Sequence, residues 1–195
     1  MLSTYLYSLH AGPYFKYDNP DKEFDARIPM KIYVRETVKK YFDPAEHFKN
    51  TKCSIEYFED LFGTPYPFQK LDHIYVADYN MGAMEMVGAI IYTESYIPRD
   101  EKKPRPNFEN YMNTIIHEIS HMWFGNLVTM KWWDDLWLNE SFANFIAFYC
   151  QSHEKTLAAE NQYIWSNFLN DMVWAQGIDS MSTTHPIAGT CMHSG

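Results

Sequence analysis

His117-Glu118-Ile119-Ser120-His121 is the stretch from which this chain can be read outward. Around it Tyr111, Ile115, Ile116, Ile119, Met122 and Trp123 recur at three- and four-residue steps. That spacing predicts a helix over residues 108–124, with Gly125-Asn126 as its C-cap. On a helix, positions i and i+4 share a face, so two imidazoles can meet at one cation. The helix is apolar on more than one face, so the two histidines do not simply face bulk water. A buried polar trio needs partners, and a metal is the natural one. Glu118 projects beside the pair and can take a proton from a water bound to zinc.

A catalytic zinc site needs three protein ligands and an open position. The third is a carboxylate or another His on a neighbouring element. Glu140, in Trp137-Leu138-Asn139-Glu140-Ser141, follows His121 with 18 residues between them and would open the next helix. The intervening Gly125 to Asp135 is long enough to lay the two helices side by side. Asp134 and Asp135 are nearer in sequence. They are rival ligands, or groups that accept a hydrogen bond from a ligating imidazole.

The rest of the chain bounds the class. Its 195 residues are 46% hydrophobic and 21% charged, which excludes disordered and collagenous classes. Aromatic residues make up 17%, enough for a sizeable core or an aromatic-lined cleft. The net charge of -9 argues against a nucleic-acid partner, because binding phosphates needs a basic surface. No polybasic segment is present, and no apolar run reaches the length of a membrane span. Cys53, Cys150 and Cys191 are widely spaced and odd in number, so no disulfide framework is expected and a cytoplasmic setting is favoured.

Strands are expected within residues 1–15, from Ile28 to Arg35, Leu71 to Ala77 and Ala89 to Thr93, with a turn or linker at 16–28. Helices are expected from about Asp43 to Phe62, where Gly63-Thr64-Pro65 ends the run, from Leu138 to His153, and from Thr156 to about Trp174. Strands first and helices after give an α+β class. Arg99 to Pro106 reads as a charged, Pro-containing loop whose Lys102, Lys103 and Arg105 form a solvated face. Trp132, Trp133 and Trp137 read as core under the metal site. His73, His153 and His193 read as surface residues, and Cys150 as a small core residue.

Taken together, His117-Glu118-x-x-His121 with Glu140, His121-Met122-Trp123-Phe124-Gly125-Asn126-Leu127-Val128-Thr129, and Gly82-Ala83-Met84-Glu85 upstream resemble the aminopeptidase N family of zinc metallopeptidases, the gluzincins. Trp132-Trp133-Asp134-Asp135-Leu136-Trp137-Leu138-Asn139-Glu140 and Thr184-His185-Pro186 are similar to that family as well. The resemblance implies a thermolysin-like catalytic domain, here in part, with a small mixed sheet plus helices. It assigns residues 1–27 to the end of an N-terminal β domain and its linker, and 28–195 to the catalytic unit. It implies one Zn2+ per chain on His117, His121 and Glu140, with Glu118 as general base activating a zinc-bound water. Glu85, taken alone, reads as a turn carboxylate. The resemblance implies that it pairs with the free α-amino group of a peptide substrate, while the backbone of Gly82, Ala83 and Met84 runs beside the peptide like an added strand. The activity implied is hydrolysis of the N-terminal peptide bond by a metalloaminopeptidase.

Two departures accompany the resemblance. The family's upstream motif ends in Asn, where this chain has Met86, which offers a thioether instead of an amide. The family's oxyanion-stabilising tyrosine falls beyond Thr184-His185-Pro186 and outside the 195 residues. Weak turnover by this chain alone is therefore expected. The alternative reading is a poorly active or non-catalytic zinc-binding relative.

Overall fold

A computed structural model describes residues 3–99, 108–187 and 189–190. The expected loop at Arg99 to Pro106 lies outside the described residues apart from Arg99, and Cys191 and His193 lie outside them entirely. The strands are β1 (Tyr14–Asp18), β2 (Lys31–Arg35), β3 (Asp72–Val76), β4 (Ala83–Met84) and β5 (Ala89–Thr93). The helices are α1 (Lys22–Arg27), α2 (Pro44–Phe62), α3 (Phe108–Ser120), α4 (Leu136–His153), α5 (Lys155–Glu160) and α6 (Ile164–Asp179). The fold is mixed α+β, as the element order suggested.

The five strands form one mixed sheet in the order β1-β2-β3-β5-β4. β2, β3 and β5 run parallel, and the outer strands β1 and β4 are antiparallel to their neighbours. β2 alternates buried Ile32 and Val34 with half-buried Lys31, Tyr33 and Arg35. β3 lies further inside and buries four consecutive residues, as a parallel strand covered on both faces does.

The longest helix, α2, is delimited by residues suited to its ends. Asp43 caps α2 by accepting from the backbone N–H groups of Ala45 and Glu46, and Pro44 fills the first turn, where no donor is needed. Gly63, in a left-handed conformation at φ 60°, ends the same helix. α2 buries Phe48, Ile55 and Phe58, and α3 buries Tyr111, Met112, Ile115, Ile116 and Ile119. These residues join Ile32, Tyr75, Ile90 and Tyr92 of the sheet in one apolar core. Removing each such side chain from water contributes about 1.5–3 kcal/mol. α3 packs against α2 and α4, so its central position fixes the direction of the His117-to-His121 turn. Among the described residues no helix is long and apolar enough to cross a membrane.

Several sequence expectations are corrected. Residues 3–13 carry a 3-10 turn at Thr4–Leu6 and no strand; the first strand is β1. The segment read as a linker holds the rest of β1 and then α1, because Asp21 accepts from the Phe24 N–H and caps a helix. The helix expected to reach Phe124 stops at Ser120. Beyond it the chain tightens into 3-10 geometry, and the His121 carbonyl is taken by the N–H of Asn126 at 2.9 Å. Apolar spacing continues through Trp123 although the helix does not. The last expected helix breaks into α5 and α6 at Asn161, whose buried side chain donates to Gln151 on α4 at 3.0 Å. Arg99 is paired with the buried Glu94, which Arg35 also grips at 2.5 and 2.6 Å. Cys150 is buried, as expected of a small core residue, and Cys53 is half-buried.

His73 is fully buried on β3, not on the surface. Its Nδ1 lies 3.1 Å from the Tyr92 hydroxyl, and its ring lies 4.3 Å from that of His47. A phenol donating to Nδ1 suits a neutral ring, and burial pushes the His73 pKa down to about 3. The unfolded side chain titrates near 6.5. The stability contributed by neutral His73 is therefore complete above about pH 6.5 and is lost as pH falls from there towards 3. Urea unfolding should register this. Between pH 7 and pH 5 the unmodified chain should lose about 2 kcal/mol more than a His73→Phe variant. Parallel losses in the two proteins would contradict the assignment.

Candidate metal centre

His117, in the last turn of α3, and His121, the first residue past its end, lie one turn apart, with their Nε2 atoms 2.9 Å from each other. Glu140 arrives from the second turn of α4, its Oε2 3.5 Å from His117 Nε2 and 3.8 Å from His121 Nε2. The three ligand atoms lie within 4.8 Å of one another. His121 is buried, and its Nδ1 sits 3.1 Å from the Phe124 carbonyl. A carbonyl can only accept, so Nδ1 must carry the hydrogen, and Nε2 is left with a lone pair aimed at the cluster. Two nitrogens and a carboxylate converging in this way fit a divalent cation with affinity for nitrogen. Asp134 and Asp135 belong to neither metal-competent cluster found among the described residues.

The electrostatics point the same way. Burial lowers the His121 pKa, and the neighbouring His117 lowers it further, so the imidazole stays neutral and able to ligate. Burial pushes Glu140 up, but the hydrogen bond and charge of His117, together with His121, outweigh it and hold the carboxyl below its ordinary value. Glu118 is buried, and its Oε2 has no hydrogen-bond partner. Burial first, then the carboxylates of Glu85 and Glu140, hold its carboxyl well above the usual range. An unpartnered buried carboxyl oxygen is costly, and it is the kind of group a nearby cation or substrate proton satisfies.

Glu85 follows β4 directly and is buried. One ligand atom each from Glu85, Glu118 and His121 falls within 4.8 Å of the others, so this carboxylate stands beside the imidazole cluster. β4, carrying Ala83 and Met84, is the edge strand of the sheet. The Gly82 carbonyl accepts from Thr93 at 2.9 Å, and a Cβ at position 82 would meet the Tyr96 hydroxyl at 2.8 Å. At Gly125, φ is 124°, and a Cβ would lie 2.4 Å from Asn139 Oδ1, so glycine is required there. That turn places Asn126 so that its amide donates to the Glu85 carbonyl at 2.8 Å.

The tryptophans do not lie under this site. Trp132 and Trp137 are 50% and 42% exposed, and Trp133 is half-buried. The 3-10 turn at Trp133–Asp135 lifts them to the rim, where Trp133, Trp137 and Glu140 border a cavity of about 560 Å3 with His185 and Pro186.

The sequence profile described as Peptidase family M1 domain matches residues 46–194, most of the chain and all of the residues just placed. The chain belongs to peptidase family M1. Among its relatives, an aminopeptidase N from Streptomyces lividans is 37% identical over 95% of this chain and 22% of its own length. A glutamyl aminopeptidase from Bos taurus is 39% identical over 97% of this chain and 19% of its own length. An aminopeptidase M1-C from Oryza sativa subsp. japonica is 40% identical over 72% of this chain and 16% of its own length. The chain thus spans about a fifth of the length of these M1 relatives.

Proposed function

We propose that this M1 chain carries the catalytic centre of a zinc metalloaminopeptidase acting on peptides with a free N-terminus. The observation that carries the reading is the convergence of His117, His121 and Glu140 beside a buried Glu118 with an unpartnered oxygen. Zinc bound by the first three residues would supply a Lewis acid and lower the pKa of a water to about 7. The remaining chemistry falls to the chain's own residues. Glu118 accepts a proton from the attacking water and returns it to the leaving amine. Glu85 pairs with the substrate ammonium, while the edge strand β4 aligns the peptide backbone. In a peptide the α-nitrogen and the first carbonyl carbon are only about 2.5 Å apart. A carboxylate as close to the imidazoles as Glu85 therefore selects the first peptide bond.

The test is a pair of substrates. The zinc-loaded chain should hydrolyse an aminoacyl-anilide slowly and leave its N-acetylated counterpart intact. Equal cleavage of both would indicate an endopeptidase and overturn the reading. A second reading rests on Met86, which cannot offer the amide that the family motif places there. A non-catalytic zinc-binding relative would bind the metal and cleave neither substrate.

A further inference from the structure

The carboxylate of Glu85 is held from an unexpected direction. Its backbone carbonyl is fixed by Asn126, but its side chain is met by Tyr5, which lies 80 positions away in sequence. The Tyr5 hydroxyl donates to Glu85 Oε1 at 3.2 Å. Tyr5 sits in the 3-10 turn Thr4–Leu6, which the buried Leu6 anchors. Its ring rests on Trp133 with centroids 5.6 Å apart, and Trp133 begins the turn that leads into α4 and Glu140. Tyr5 and Trp133 also line a cavity of about 170 Å3 with Gly125 and Asn139. The N-terminal segment thus bridges the Glu85 loop and the start of α4.

We propose that Tyr5 is a positioning residue that holds the Glu85 carboxylate in the orientation that receives the substrate ammonium. The assignment rests on the reading of Glu85 given above. A glutamate side chain loses considerable rotamer freedom when it is fixed, and a prior hydrogen bond removes part of that cost from the binding step. The carboxylate has about four acceptor positions on its two oxygens. A single O–H donated to Oε1 leaves the others for the three donors of an ammonium. Burial, and then the adjacent Glu85, push the Tyr5 phenol well above its ordinary pKa, so it remains a donor.

The test compares two metal-binding probes, leucine hydroxamate and its desamino counterpart 4-methylpentanohydroxamate, by calorimetry on the zinc-loaded chain. The ratio of their affinities isolates the ammonium subsite. The unmodified chain should prefer the amino form, and Glu85→Gln should abolish that preference. Tyr5→Phe should lower the ratio about tenfold, the order expected when a hydrogen bond to a charged group is lost. It should leave the desamino affinity within about twofold, because that probe does not use Glu85. Adding Tyr5→Phe to Glu85→Gln should change nothing further, since Tyr5 acts through Glu85. An unchanged ratio in Tyr5→Phe would overturn the assignment, and so would an equal loss for both probes, which a merely structural role would produce. If the unmodified chain binds both probes alike, the ammonium reading of Glu85 itself fails, and the role of Tyr5 fails with it.

Discussion

Glu118→Gln is expected to leave zinc affinity within a few-fold of the unmodified chain and to reduce kcat by about a hundred- to ten-thousand-fold. The substitution is nearly isosteric, so the buried pocket around residue 118 stays filled. What is lost is the capacity to accept and return a proton, since an amide has no accessible basic site at neutral pH. Glu118 lies within 4.8 Å of a His121 ring nitrogen, and its Oε2 has no hydrogen-bond partner. KM should move little, because a general base acts mainly in the transition state. Turnover of an aminoacyl-anilide, measured together with bound zinc on the same sample, separates the outcomes. Retained turnover would remove Glu118 from the chemistry.

His121→Ala is expected to have the largest effect on the metal itself, lowering zinc affinity by at least about a hundredfold. His121 is the better constrained of the two imidazoles. It is buried, its Nδ1 is fixed by the Phe124 carbonyl, and it belongs to both metal-competent clusters. Its removal also takes away a buried ring and its hydrogen bond to the Phe124 carbonyl, so the zinc-free variant should melt at a temperature no higher than the unmodified zinc-free chain. Competition against a chelator of known affinity gives the zinc constant directly. An affinity equal to that of the unmodified chain would exclude His121 as a ligand.

The parts of this site that were legible in the sequence are those whose geometry is local. His117 and His121 share a face because an α-helix repeats every 3.6 residues, and Glu118 lies between them in sequence. Glu140 was legible as a candidate because it lies near the start of a helix that has room to pack against the first. The strand Ala89–Thr93 and the helix Pro44–Phe62 were legible for the same reason, a compact apolar pattern bounded by Gly or Pro.

What could not be read depends on distant contacts. No local pattern places Tyr5 on Glu85 or Asn126 on the Glu85 carbonyl. His73 looked like an isolated polar residue, yet β3 is covered on both faces and Tyr92 supplies a partner. Trp132 and Trp137 looked like core on composition alone, but a 3-10 turn carries them to the rim. The early end of α3 was hidden because apolar spacing runs on through Trp123, whereas the helix is stopped by loop N–H groups that cap its carbonyls.

The central claim is that one zinc ion is held by two imidazoles and one carboxylate, from His117, His121 and Glu140. Zinc K-edge X-ray absorption on the chain loaded with one equivalent of zinc tests it most directly. The account predicts nitrogen and oxygen scatterers only, at about 2.0–2.2 Å, with the multiple-scattering pattern of two imidazoles, lost in part on His117→Ala. A sulfur shell at about 2.3 Å, or a spectrum unchanged by that substitution, would contradict it.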